Sequence, residues 1–177
     1  MSFKSLVVYS SVTGNTKKVA EAIAEALAPD CDIHKVEDNP ATEDYDLVAV
    51  GYWVDKGTAD AKAIKYLKSI KNAKVAIFAT LGAEPDSQHA KDSLKKGREL
   101  LDSSNEVVGE FICQGKIDPK IIEFMAKHFG TSGKGFHVVD EKRKQRHAQA
   151  STHPDEQDLA NAKAVFSEIK QKLTGGH

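Results

Sequence analysis

Little in this sequence commits it at once to a special chemistry. Cysteine is scarce, with only Cys31 and Cys113 in 177 residues. The two are far apart, with no C-x-x-C and no paired histidine, so neither a disulfide framework nor a structural zinc is expected. A reducing cytoplasm is the expected setting. No apolar run approaches the roughly 20 residues that span a bilayer. Neither charge dominates: 25 Lys and Arg stand against 26 Asp and Glu, a formal net charge of -1. That balance gives no electrostatic reason to expect nucleic acid or an anionic membrane as partner. There is no internal repeat, and strand pattern begins by Leu6, which is expected to leave no room for a signal peptide. What is present is ordinary globular composition, 40% apolar and 29% charged, expected to form a single domain over 1–177 with a real core.

The chain is organised around Val7-Val8-Tyr9-Ser10-Ser11-Val12-Thr13-Gly14-Asn15-Thr16. Three large β-branched or aromatic residues read as a buried strand. Hydroxyls, a glycine and an amide follow, then a helical pattern with Val19, Ile23 and Leu27 on one face, stopped by Pro29. A strand that ends in such a loop and feeds a helix N-terminus makes an anion site, because backbone N–H groups converge and the helix dipole adds positive charge. The open alternative is a serine-rich turn that merely caps its own helix.

Further along, Cys31 to Val36 suits an outer strand, and Tyr45 to Gly51 a second buried one, closed by Gly51-Tyr52-Trp53. Thr58 is placed to cap a helix with Ile64, Leu67 and Ile70 as its apolar stripe. Lys74 to Leu81 reads as another buried strand, and Ser87 as the cap of a helix carrying Ala90, Leu94 and Leu101. Val107 to Cys113 is the last strand. Asp118-Pro119 resembles a cap and first-turn pair opening a helix with Ile121, Ile122, Met125 and Phe129. An extra helical and loop segment, about 116–153, precedes a final helix opened by His153-Pro154-Asp155-Glu156. It includes a basic run from Glu141 to His147, either a docking patch or a solvated face.

Strands alternating with helices mean an α/β fold with a parallel sheet covered on both faces. Five strands in one doubly wound domain imply the order 2-1-3-4-5, with ligands beyond the carboxyl ends at the switch point beside strand 1. The Ser10 to Thr16, Gly51 to Gly57 and Thr80 to Asp86 loops would converge there. Several phosphate chemistries are excluded by what the loops lack. A phosphate-accepting receiver needs carboxylates where this chain has Ser10-Ser11 and Gly51-Tyr52. A small cysteine phosphatase needs Arg six residues after its Cys, and the chain offers Glu37 and Pro119. No G-x-x-x-x-G-K-[ST] occurs, and Gly133-Lys134-Gly135 lacks the third glycine of a dinucleotide loop.

Ser11-x-Thr13-Gly14-Asn15-Thr16 after a strand ending in Tyr9 resembles the phosphate loop of the flavodoxin family, with Val12 a departure from the strict pattern. The resemblance implies a flavodoxin-like fold and FMN as cofactor. Ser10, Ser11, Thr13, Gly14, Asn15 and Thr16 would hold the phosphate. Trp53, the single tryptophan, would stack on the ring with Tyr52 beside it, unless it packs under its own loop. Backbone at Gly57, Leu81 and Gly82 would meet the ring edges, with Thr80 also in the cofactor-binding set, although no aromatic lies between Phe78 and Phe111 to cover the ring's other face. Cys113 and Gly115 would line the pocket at the end of the last strand; for Cys113 a small buried hydrophobe is the equal alternative. No metal is implied by the spacing of His89, His128, His137, His147 and His153.

The longer pattern is similar to a compact subgroup in which Gly51 to Gly57, Thr80 to Ala83, Phe111 to Ile117 and His153-Pro154-x-x-x-Asp158 recur together. Some members of that subgroup resemble accessory flavoproteins of a bacterial bilirubin reductase. The implied function is electron transfer between an NAD(P)H- or ferredoxin-linked reductase and an acceptor enzyme. The alternatives are an FMN-dependent NAD(P)H:quinone-type reductase and a non-enzymatic accessory subunit of a larger flavoenzyme.

Overall fold

Apolar runs at the positions named above become strands stacked side by side, and the amphipathic segments between them fold back over both faces. The computed structural model describes residues 3–115 and 152–175. In chain order these form β1 (Ser5–Tyr9), α1 (Asn15–Leu27), β2 (Cys31–Lys35) and a 3-10 turn (Val36–Asp38). β3 (Leu47–Asp55), β4 (Thr58–Ala59), α2 (Ala61–Ser69), β5 (Lys74–Leu81), α3 (Gln88–Glu99) and β6 (Glu106–Gln114) follow. The last described element is helix α4 (Glu156–Thr174). The predicted helix after Asp118 and the basic run at 141–147 lie outside the described residues.

The main strands run in the order β2-β1-β3-β5-β6, all in parallel register. This is the expected doubly wound flavodoxin-like sheet, with one addition. The two-residue β4 pairs antiparallel with the end of β3, Val54 opposite Ala59 and Asp55 opposite Thr58. The hairpin corrects two expectations. β3 does not close at Gly51 but continues through Trp53 to Asp55, because β4 and β5 both pair with its far end. Thr58 is consequently a strand residue, and Asp60 caps α2 instead, accepting from Ala63 N at 3.3 Å. Leu101 also falls beyond α3, which ends at Glu99.

Two cores flank the sheet. Leu6, Val8, Val48, Val50, Tyr52, Leu67 and Ile77 fill one side, beneath α2 and α3. Val7, Tyr9, Val19, Ile23, Ala49, Phe78, Phe166 and Ile169 fill the other, beneath α1 and α4. Alternation along each strand sorts the residues between the two faces. Phe78 and Phe166 meet edge to face at 6.0 Å between ring centroids. α1 and α4 are bound laterally as well: Lys163 Nζ lies 2.7 Å from Glu25 Oε2, and Lys170 Nζ donates to the Leu27 and Ala28 carbonyls.

Candidate functional site

The strand order reverses direction at β1, with β2 on one side and β3 on the other. The loop leaving β1 at its carboxyl end therefore opens onto the crevice where such sheets take ligands. Gly14 ends this loop at φ 95°, a left-handed conformation that a side chain would strain, and a Cβ there would meet nothing within 4 Å. Its N–H donates to Ser11 Oγ at 3.1 Å, so the Ser11 hydroxyl proton points elsewhere. α1 then begins with no side-chain cap and no acidic residue in its first turn, which carries Lys17 and Lys18. A helix start without a side-chain cap leaves backbone donors for another acceptor. Thr13 is exposed beside them, and Val12 stands 72% exposed at the loop tip.

The floor of the crevice is a row across the sheet: Trp53 is level with Thr80, and Thr80 with Cys113. All three share the α1 face, as alternation from Ala49, Phe78 and Cys113 in that core requires. Thr16 and Thr80 place their hydroxyl oxygens 2.9 Å apart, tying α1 to this row. Among the described residues the Trp53 indole N–H is buried there without a hydrogen-bond partner, although the residue as a whole is half-buried. Burial also drives the Cys113 thiol far above its ordinary range, with the Asp158 and Asp155 carboxylates adding to the effect.

At the rim, Lys56 (φ 53°) and Gly57 (φ 80°) make the tight turn between β3 and β4, the left-handed pair that a two-residue hairpin demands. The third loop is tied down by its carbonyls: Gly115 N donates to Leu81 O at 2.8 Å, and Gln114 Nε2 to Gly82 O at 3.3 Å. A Cβ on Gly115 would fall 2.8 Å from the Asn15 amide nitrogen, so the end of β6 touches the first loop. Ser11, Gly14, Asn15 and Thr16 are thus tied to the Trp53–Thr80–Cys113 row and to Gly115, and Leu81 and Gly82 to the end of β6, with Thr13 exposed in the first loop. A Cβ on Gly57, in the β3–β4 turn, would have His89 and Lys96 of α3 as its nearest neighbours, at 3.7 Å.

Two predicted contacts are corrected. Tyr52 is fully buried on the opposite face, its hydroxyl donating to Ser93 O at 3.1 Å, and cannot lie beside Trp53 over a ligand ring. One residue's shift along a strand reverses the face. Ser10 also turns inward: its hydroxyl donates to Asp60 Oδ2 at 2.6 Å and its N–H to Gly51 O at 2.9 Å. Ser10 positions the loop without facing it. Its partner Asp60 escaped prediction, although an Asp just ahead of the Ala61–Ser69 helical pattern is an ordinary cap signal. Burial raises the Asp60 carboxyl pKa, against hydrogen bonds that lower it, and its Oδ1 is buried without a partner.

One cluster was not foreseen. Asp155 and Asp158 form a capping box at the start of α4, and His153 Nδ1 lies 2.5 Å from Asp158 Oδ2. Their ligand atoms lie within 4.8 Å of one another. The same Asp158 oxygen also accepts from Asp155 N at 2.9 Å. These groups are engaged in holding the helix end.

A doubly wound α/β domain with a glycine- and hydroxyl-bearing loop at its switch point is the class that this fold and site define. Within that class the chain belongs to the flavodoxin domain family, whose model matches residues 6–167. It is 36% identical over 163 residues to the flavodoxin-like domain-containing protein BilS of Clostridioides difficile, spanning 90% of this chain and 92% of that one. A BilS of Clostridium symbiosum is 29% identical over 177 residues, covering 89% and 90%. Among solved structures, oxidised flavodoxin 2 of Bacillus cereus superposes with a TM-score of 0.60 at 16% identity, covering 96% of this chain and 99% of that one. A WrbA-like flavodoxin from Agrobacterium tumefaciens gives 0.56 at 14% identity, covering 99% and 100%. At such identities these structures speak to the fold alone. Among the described residues, no helix is long and apolar enough to cross a membrane.

Proposed function

We propose that this protein binds FMN and carries electrons between a reductase and a partner enzyme. The observation that carries the reading is the start of α1. Its N-terminus has no side-chain cap, no acid and two lysines, behind a left-handed glycine and a run of hydroxyls. Neutral donors and a helix dipole suit a phosphate monoester held out of bulk water. Membership of the flavodoxin family supports the same cofactor.

The residues fit the group. Ser11, Thr13 and Thr16 hydroxyls, with the amides of the first helical turn, would hold the phosphate. Gly14 lets backbone approach closely, and the Asn15 amide beside Gly115 would close the pocket wall. Among the described residues Trp53 offers a wide aromatic face at the crevice, and its indole N–H, unpartnered among them, is the kind of buried donor that a bound acceptor satisfies. Bound flavin would supply the redox chemistry, while the protein binds, orients and shields it. Likeness to BilS supports an accessory role beside a larger flavoenzyme, for which a bilirubin reductase is the acceptor implied by the subgroup motifs.

The test uses the purified full chain. FMN is added to cofactor-free protein and its fluorescence followed; the loaded protein is then mixed anaerobically with NADPH, alone and with ferredoxin–NADP reductase. The expected result is stoichiometric quenching, and bleaching only when the reductase is present. Failure to bind FMN overturns the cofactor, and rapid bleaching by NADPH alone overturns the carrier role.

A further inference from the structure

The Thr16–Thr80 pair has a hydrogen left over. Both residues are buried, at 1% and 2% exposure, and their hydroxyl oxygens stand 2.9 Å apart across 64 residues of chain. Among the described residues each hydroxyl has the other as its only hydrogen-bond partner. A threonine hydroxyl carries one donor and two acceptor sites. Two hydroxyls bonded to one another therefore use one proton and leave the second without an acceptor. An unsatisfied buried donor costs about 1–3 kcal/mol, so the direction of the bond matters.

The two directions end in different places. If Thr16 donated, the free proton would belong to Thr80, in the sheet row between Trp53 and Cys113. The only polar side-chain atoms of those two neighbours are an indole N–H, which accepts nothing, and a thiol, which accepts only weakly. If Thr80 donates, the free proton is on Thr16, in the first turn of α1, whose cap residue Gly14 offers no side chain. Only that direction adds the unused O–H to a converging donor set.

We propose that Thr80 is a positioning residue: its hydroxyl donates to Thr16 Oγ1 and so commits the Thr16 proton to a phosphate at the α1 N-terminus. Thr80 itself touches no ligand. This revises its predicted role as a cofactor contact and rests on the reading of the first loop as a phosphate site. It also gives a reason for a hydroxyl in the otherwise apolar buried run from Val75 to Leu81.

The test compares FMN with riboflavin, which has the same ring and polyol but no phosphate. Affinities are measured by fluorescence quenching for the wild type, Thr80→Val, Thr80→Ser and Thr16→Val, with thermal melts to confirm folding. Thr80→Val is expected to weaken FMN about tenfold, within the range of a charge-assisted hydrogen bond, and to leave riboflavin unchanged. Thr80→Ser, which keeps the donor, should restore FMN binding. In the Thr16→Val background, Thr80→Val should have no further effect. If the Thr80→Val substitution disturbs folding, Thr80→Ala reads the same comparison without overpacking. Equal FMN affinity for Thr80→Val and wild type overturns the inference and leaves the loop's role standing. Equal loss of FMN and riboflavin overturns it too, because Thr80 would then act on the ring or on the fold. A wild type that binds riboflavin as tightly as FMN overturns the phosphate reading itself.

Discussion

Helices α1 and α4 lie side by side on one face of the sheet, and their N-termini are built on opposite plans. α4 is closed from within. Asp155 accepts from Asp158 N, Asp158 accepts from Asp155 N, both at 2.9 Å, and two acids sit in the first turn where the dipole favours them. α1 is left open, with a left-handed glycine for a cap, lysines in place of acids and hydroxyls around the rim. Both helices bury the same kind of apolar stripe into the same core. What differs is who satisfies the backbone donors: side chains of the protein in α4 and, on the proposed function, an incoming anion in α1. The end that forgoes a cap is where binding belongs, and the capped end is where stability belongs.

That contrast can be broken at four points. The largest effect is expected from Phe166→Ala in α4, which removes the ring that meets Phe78 and should lower stability by about 3–5 kcal/mol, read from urea unfolding. Asp158→Ala, which dismantles the capping box and frees His153, should cost about 1–2 kcal/mol in the same assay without weakening FMN comparably. Lys17→Glu should act with opposite signs. It supplies the acid that the α1 dipole lacks, so melts of ligand-free protein should rise by the equivalent of about 0.3–1 kcal/mol at low salt, while FMN affinity falls. A lysine that serves only solubility would change neither.

The smallest effect is a pH dependence. The Asp155 carboxyl is held below the usual aspartate range chiefly by the Asp158 amide, with the His153 ring adding to it. A carboxyl depressed in the folded state contributes stability above its unfolded value, near pH 4, and loses that contribution as pH falls through the folded value. Urea midpoints should therefore drop more steeply on acidification for wild type than for Asp155→Asn, which can still cap the helix.

Most of the sheet was legible because parallel strands buried on both faces are continuous apolar runs. Lys74 to Leu81 was bounded as observed. The start of α3 was legible because its cap, Ser87, is local, and that of α4 because His153-Pro154-Asp155-Glu156 opens it, although the capping box there was not. β4 was not, since two residues carry no periodicity and Asp55-Lys56-Gly57-Thr58 lacks an Asn-Gly turn signal. Missing that hairpin also left Trp53 in a loop and allowed Tyr52 and Trp53 to be assigned to one surface. Ser10 was misassigned for a different reason. Its partner Asp60 is 50 residues away, and a long-range hydrogen bond leaves no trace in local pattern. The loop proposed to hold the phosphate stands out in the sequence because its hydroxyls, glycine and amide are concentrated in consecutive residues, Ser11 to Thr16.

The most direct measurement of the contrast between the two helix ends is an amide NMR titration of the full chain with FMN. The account predicts large shifts confined to the first loop and turn of α1, from Thr13 to Lys17, with the Trp53 indole N–H moving alongside. The amides of Glu156, Gln157 and Asp158 at the capped start of α4 should stay in place. Shifts of equal size at both helix ends, or at α4 alone, would contradict it.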